Sequence, residues 1–281
     1  MNTRFLQVVL AMILIVTCSL GTFASDESNP GDQSPVEFTG LVGITALNKY
    51  IFRGSEIGSK SLVLQPYISF SVAGFTVVQW GSFDSDQHMT QSFYPKEPGT
   101  SSFNETDMFV SYKRNFDKLV LSCGYNFYGL HYAKDSQDVF VSMGYANADF
   151  LNPTLKVYRE ISAWPNFYFN LSLSRSFPVY KGITLDLGAS FGHLTGVTDH
   201  WKTYDEKTNA YTDDRYSAFH DGMLQAGFTV PVTKSLILQP MTQLWYPLSA
   251  DAKKAPNGRS YNPHGKIDNT LVYGLNMMYM F

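Results

Sequence analysis

Cysteine, charge and long apolar runs are all scarce in this 281-residue chain. Of its two cysteines, Cys18 lies in the amino-terminal apolar segment, which leaves Cys123 alone in the rest of the chain. A lone cysteine excludes an internal disulfide and a cysteine-based metal site. Charged residues make up 16% of the sequence and the formal net charge is -3. Because no basic patch is present, we expect no nucleic-acid partner.

The first residues have the pattern of an export signal. Arg4 precedes the apolar run FLQVVLAMILIV, and Thr22 and Ala24 supply the small residues of a cleavage site. We therefore expect a signal peptide at 1–24 and a flexible leader at 25–35, in the polar stretch SDESNPGDQSP. Beyond the signal, no apolar run approaches the length that a membrane-spanning helix requires.

Period-two alternation of apolar and polar residues is present throughout the remaining chain. In SLVLQPYISFSV, Leu62 and Ile68 fall on one face, and Ser61 and Gln65 fall on the other. The pattern predicts strands at 37–52, 61–72, 75–83, 107–116, 119–130, 138–148, 154–161, 166–177, 181–194, 216–230, 235–247 and 268–281.

The predicted connections alternate between short and long. Those after the third, ninth and eleventh strands are long and polar, at 84–106, 195–215 and 248–267, whereas those after even-numbered strands are short. A soluble sandwich would hide the apolar face between two sheets. The asymmetry instead favours an all-β, closed antiparallel transmembrane β-barrel of about twelve strands at 36–281, with short periplasmic turns and long external loops. We expect it in the outer membrane of a Gram-negative (diderm) bacterium, in contact with outer-membrane lipid.

The carboxyl terminus supports the same interpretation. Large apolar residues recur at alternate positions and end on an aromatic residue: Tyr273, Leu275, Met277, Tyr279 and Phe281. This stripe resembles the terminal assembly signal of bacterial outer-membrane barrels. The resemblance implies that barrel-assembly machinery and periplasmic chaperones act as partners during biogenesis.

Polar residues on the opposite parity are expected to line the lumen. Both charge signs occur among them, so strong ion selectivity is not indicated. A twelve-stranded lumen lies between filled and open barrels, which leaves a narrow pore for small hydrophilic solutes and a plugged, structural barrel as alternatives. The pore-lining candidates are Lys49, Arg53, Gln65, Tyr67, Lys113, Asn126, Tyr128, Glu160, Asp186, Asp221, Gln225, Gln239 and Gln243.

The stretch at 47–84 resembles an uncharacterised family of outer-membrane proteins, the TorF-type porins. The resemblance is carried by a Y-x-x-R-G motif (Tyr50, Arg53 and Gly54), a tight turn at 74–75 and a strand containing Trp80. It implies an outer-membrane barrel with a pore role and suggests no substrate.

Two further functions remain open. His193 and Thr195 have the spacing that a hydroxyl and its base need on one strand face, as in an outer-membrane lipid-modifying enzyme of the phospholipase or lipid-A deacylase type. The adjacent His220 and Asp221 are expected on opposite faces, so they make no catalytic pair. A structural or adhesive barrel without a pore is the other alternative. Nothing in the sequence indicates a cofactor or a metal.

Overall fold

The computed structural model describes residues 38–88, 97–147, 151–205, 207–253 and 269–281. The predicted signal peptide and leader lie outside these ranges, so the domain boundaries stay a prediction. The described elements are β1 (Phe38–Phe52), β2 (Ser55–Val72), β3 (Phe75–Asp84), β4 (Ser102–Phe116), β5 (Leu119–Leu130), β6 (Ser136–Tyr145), β7 (Thr154–Glu160), β8 (Asn166–Tyr180), β9 (Ile183–Gly196), β10 (Lys202–Asp205), β11 (Ala210–Arg215), β12 (Ser217–Pro231), β13 (Leu236–Pro247), α1 (Ala250–Lys253) and β14 (Thr270–Met280). No helix in the described ranges is both long and apolar enough to cross a bilayer.

Twelve strands close into one antiparallel barrel in the order β1-β14-β13-β12-β9-β8-β7-β6-β5-β4-β3-β2. The first and last strands pair from Leu41 opposite Met280 to Leu47 opposite Gly274. Closure satisfies the main-chain groups of both edges, which is the requirement for a sheet in hydrocarbon. The predicted fold class, a closed barrel of about twelve strands, is confirmed.

The two ends of the barrel differ in their connections. We call the end that holds the Ala73–Gly74 and Lys181–Gly182 turns the turn end. The opposite end, the loop end, holds the Arg53–Gly54 turn and the β10–β11 hairpin, which the sequence did not predict. All three of these two-residue turns have positive φ at both positions, with values of 49° at Arg53 and 79° at Gly54. Positive φ at both central residues is the type I′ geometry that matches the twist of a hairpin.

The largest differences from the predicted strands lie at the loop end. β2 begins at Ser55 rather than at 61, and β4 at Ser102 rather than at 107. The segment SEIGSK has no alternation to reveal a strand, because the β1–β2 register shifts between Leu47 and Lys49 and again between Tyr50 and Ile51. Such shifts mark bulges, which break the period of two and bend the hairpin.

The outward face of the barrel is apolar. In β2, Leu62 is 50% exposed, whereas its neighbour Val63 is 1% exposed. The same alternation of exposed apolar and buried residues recurs around the sheet. The apolar side chains therefore point away from the barrel axis. Inside, two small apolar clusters lie near the loop end: Tyr168, Leu194, Tyr216 and Ala218, and Leu47, Val63 and Val272.

Cations on the outward face lie over aromatic rings near the strand ends. The guanidinium of Arg114 lies 5.3 Å from the ring centroid of Phe116, and that of Arg175 lies 4.8 Å from Phe177. An arginine at this position can reach the aqueous interface, where it costs about 0–1 kcal/mol instead of about 2–4 kcal/mol at the midplane.

Phe281 completes the seam, the pairing of β1 with β14, at the turn end. Its N–H donates to the Gly40 carbonyl at 3.0 Å, and the Gly40 N–H donates back at 2.8 Å. The Phe281 ring makes an edge contact with Phe70 at 6.3 Å, and Phe70 in turn stacks on Phe38 at 5.7 Å. A β-carbon at position 40 would come within 2.3 Å of the Phe281 ring, so glycine is required there.

We expect Phe281→Ala to lower the amount of folded, heat-modifiable protein in outer membranes and to destabilise the barrel by about 1 kcal/mol, because it removes an aromatic pair at the closing seam. Electrophoretic heat modifiability and urea unfolding in lipid measure the two effects. Phe116→Ala is the matched control, since Phe116 is similarly exposed at the same end but lies away from the seam. Equal losses in the two variants would contradict a special role for the terminal residue.

Candidate functional site in the barrel lumen

A belt of hydrogen-bonded polar side chains lines one wall of the lumen. The Tyr67 hydroxyl donates to the side-chain oxygen of Asn276 at 3.1 Å, and the side-chain amide of Asn276 donates to the side-chain oxygen of Gln239 at 2.9 Å. Gln239 donates to the Thr229 hydroxyl at 3.0 Å, and Thr229 donates to Asp186 at 2.6 Å. The belt therefore crosses β2, β14, β13, β12 and β9, and its members are only partly buried.

A second link lies closer to the loop end on the same wall. The side-chain amide of Gln243 donates to the side-chain oxygen of Gln225 at 3.2 Å, and the indole N–H of Trp245 donates to the side-chain oxygen of Gln243 at 2.9 Å. Half-buried amides of this kind are paired yet still accessible to water. This part of the lumen wall therefore presents polar groups that are not fully buried.

The two predicted lysines lie at opposite ends of the lumen. Lys49 donates to the Thr270 hydroxyl at 2.8 Å and lies 3.6 Å from Glu56. Lys113 is exposed near the turn end, three residues from the end of β4. Neither lysine joins a ladder of like charge.

Arg53 contacts side chains of three other barrel strands. It occupies the β1–β2 turn, and its guanidinium donates to Asp138 at 2.5 Å. The same guanidinium lies 4.3 Å from the ring centroid of Tyr158 and 4.8 Å from that of Tyr168. Burial lowers the pKa of Arg53, but the Asp138 charge outweighs this and leaves the pKa raised, so the guanidinium stays charged.

The contacts of Arg53 cross the lumen. In the closed strand order, β7 is the sixth strand from β1 in either direction and so lies diametrically opposite. Asp138, Tyr158 and Tyr168 belong to β6, β7 and β8, the strands around that opposite point. The β1–β2 hairpin therefore extends over the mouth, and Arg53 fastens it to the far wall.

Buried acids and phenols support this contact. The Tyr128 hydroxyl donates to Asp138 at 3.2 Å and accepts from Asn126 at 3.2 Å. On the other side, the Tyr168 hydroxyl donates to Asp221 at 2.9 Å. These side chains fill the loop-end part of the lumen, while the belt around Gln239 lies in a more open part.

The motif residues that carry the family resemblance also meet at the loop end. Tyr50 packs against Trp80 with ring centroids 5.6 Å apart, and it lies within hydrogen-bonding reach of Glu105. Gly54 supplies the second positive φ of the turn that presents Arg53. The motif thus builds the hairpin that enters the lumen.

Among the predicted pore residues, Glu160 is hydrogen-bonded to the β7–β8 connection. It is buried, and its carboxylate accepts from the Ser162 hydroxyl at 2.6 Å, the Ser162 N–H at 3.0 Å and the Trp164 N–H at 3.0 Å. A carboxylate with these partners anchors the β7–β8 connection and has little capacity left for a passing solute.

Sequence reasoning missed several lumen residues. Asp138, Tyr168 and Asp107 lie on the predicted polar parity, yet none was selected, although that parity could have identified all three. The expectation that His220 and Asp221 face opposite sides was wrong. A register shift between Phe219 and Gly222 places a bulge there, and both side chains are buried.

Comparison with known proteins was made by sequence and by structure. No family model and no curated protein matches the chain, so the TorF-type likeness stays a prediction. Two porins are among the solved structures that match. The NanC porin in a rhombohedral crystal form has a TM-score of 0.53 and 9% identity, over 85% of this chain and 98% of its own. The KdgM porin has a TM-score of 0.50 and 10% identity, over 86% and 99%. At such low identity, the likeness shows the fold.

We expect Asp138→Asn to destabilise the barrel by about 3–5 kcal/mol, because it leaves the Arg53 guanidinium buried without its counter-charge. Urea unfolding of the lipid-reconstituted protein measures the change. Asp213→Asn is the control, since Asp213 is fully exposed 3.6 Å from Lys202, and its loss should leave the midpoint unchanged. An unchanged midpoint for Asp138→Asn would show that the buried pair adds nothing to stability.

Proposed function

We propose that the protein is an outer-membrane channel of a Gram-negative bacterium and that small hydrophilic solutes diffuse through it passively. The observation that carries the proposal is a closed barrel with an apolar outer face and a half-exposed polar inner belt. An apolar exterior fits acyl chains, and a polar interior fits water. The porin fold of the two structural neighbours adds support.

The lumen suits neutral or weakly charged solutes in its wider part. Its inner wall presents amides and hydroxyls around Gln239 and Gln243, with Asp186, Lys113 and Lys156 supplying charges of both signs. The Arg53 contact narrows the loop end, so conductance through the wild-type channel should be small. Insertion would require barrel-assembly machinery and periplasmic chaperones, which the terminal stripe ending at Phe281 would engage.

Planar-bilayer recording tests the channel directly. Purified wild-type protein should give discrete conductance steps with weak ion selectivity, because charges of both signs line the lumen. A heat-denatured sample of the same preparation is the control. Steps no more frequent than in that control would contradict the proposed channel.

A lipid hydrolase is the second candidate, favoured by one contact on the outward face near the loop end. His193 Nδ1 lies 3.4 Å from the Thr195 hydroxyl, which lies 3.0 Å from the Ser217 hydroxyl. The imidazole is flanked by the rings of Phe169 and Phe219, at 6.1 and 5.2 Å. A base needs a third group to orient it, and these phenylalanines cannot hydrogen-bond to it.

Phospholipid hydrolysis by the reconstituted protein distinguishes the two candidates. We expect no turnover above that of a His193→Ala variant, because the nearest hydroxyl to the imidazole is at the limit of hydrogen-bonding distance. If the wild-type protein hydrolyses phospholipid and the His193→Ala variant does not, the enzyme hypothesis replaces the channel hypothesis.

A further inference from the structure

Three side chains of the far wall surround the Arg53 guanidinium, and we call this set the cage. The cage consists of Asp138, Tyr158 and Tyr168, which come from three adjacent strands, β6, β7 and β8. Tyr158 is directly opposite Tyr168 in the β7–β8 register, and the two ring centroids are 6.0 Å apart. The carboxylate of Asp138 supplies the acceptor beside the two rings.

Residues other than Arg53 hold the cage in place. The Tyr128 hydroxyl donates to Asp138, and Asp221 accepts from Tyr168 at 2.9 Å. The cage therefore belongs to the barrel wall, whereas its present occupant belongs to a hairpin turn. Because sheet residues are positioned by ladders on both sides, the wall should keep its shape when the turn moves.

One acceptor of the cage is still available. Asp138 is 1% exposed, and its Oδ1 atom has no hydrogen-bond partner among the described residues, while Oδ2 accepts from Arg53. A buried carboxylate oxygen without a donor is costly. A guanidinium free to orient itself could donate to both oxygens, whereas Arg53, tethered to its turn, donates to one.

We propose that this cage is a binding site for solutes that carry a guanidinium group, and that Arg53 is its built-in competitor. The proposal rests on the proposed channel. A solute that enters the cage displaces Arg53, releases the β1–β2 hairpin from the far wall and widens the mouth. A planar guanidinium can stack on the tyrosines while it donates to both oxygens of the carboxylate, a geometry that a compact ammonium does not have.

Tethering sets the strength of the competition. A group held by a short connection has an effective concentration of about millimolar or more. In the wild-type protein, a free solute must outcompete that concentration, so its apparent affinity is reduced. Removing the Arg53 side chain should raise the affinity without any change to the cage.

Arg53→Asn is the variant that removes the competitor and keeps the turn, because Asn-Gly is a favoured type I′ pair. Calorimetric titration of the detergent-solubilised barrel with ethylguanidinium, a mimic of the arginine terminus, measures binding independently of conductance. We expect binding at least about tenfold tighter in Arg53→Asn than in the wild type. Arg53→Asn with Asp138→Asn, which leaves neither charge unpaired, should lose that binding. Heat-modifiable mobility checks that each variant is folded.

Three outcomes would contradict the proposed guanidinium-binding site. These are equal ethylguanidinium affinity in the wild type and Arg53→Asn, undiminished binding in the double variant, and equal affinity for ethylammonium. Arg175→Gln, which removes an outward-facing arginine, should bind as the wild type does. Bilayer recording tests the channel separately: Arg53→Asn should give larger steps that ethylguanidinium blocks. Tight calorimetric binding without steps in any variant would retain the cage and reject the channel.

Discussion

Main-chain pairing between β1 and β14 is the constraint on which the rest of the structure depends. It removes both free edges of the sheet, so that each of the twelve barrel strands has a partner on each side. Once the sheet is closed, period-two alternation has one consequence: the apolar parity faces outward and the polar parity faces the lumen. The reciprocal hydrogen bonds of Gly40 and Phe281 end this seam, and the ring of Phe281 covers a position where only glycine fits.

The interior is uneven along its length. Around Gln239 the wall is polar and half-exposed, as a route for hydrated solutes requires. At the loop end, the bulged β1–β2 hairpin bends inward and Arg53 reaches the opposite wall. The irregularity that makes this hairpin hard to recognise in the sequence is the same one that brings it over the mouth. In the proposed channel, the loop-end contact and the polar belt would be two separate determinants of what passes.

The sequence was sufficient for the fold because alternation and loop length report directly on which face is buried and which end carries the loops. The sequence identified the inner-wall candidates less well, since parity identifies a face of the sheet but not the depth of a side chain or its partner. Glu160 has the predicted parity, yet it is buried against Ser162 and Trp164. The Arg53–Asp138 contact joins residues 85 positions apart across a lumen, and no local pattern encodes such a distance. The prediction for His220 and Asp221 was wrong for a related reason. One extra residue in a bulge reverses the parity of the strand without any change in composition.

Thiol accessibility along β14 tests whether the apolar side chains of the barrel face lipid and the polar side chains of the opposite parity face water. In a Cys123→Ala background, single cysteines at positions 275, 276 and 277 would be treated with a water-soluble maleimide in liposomes. We predict rapid labelling of Asn276→Cys, whose parent side chain belongs to the inner belt, and protection of Leu275→Cys and Met277→Cys, whose parent side chains are exposed on the outer face. Protection at 276 with rapid labelling at 275 and 277 would contradict it.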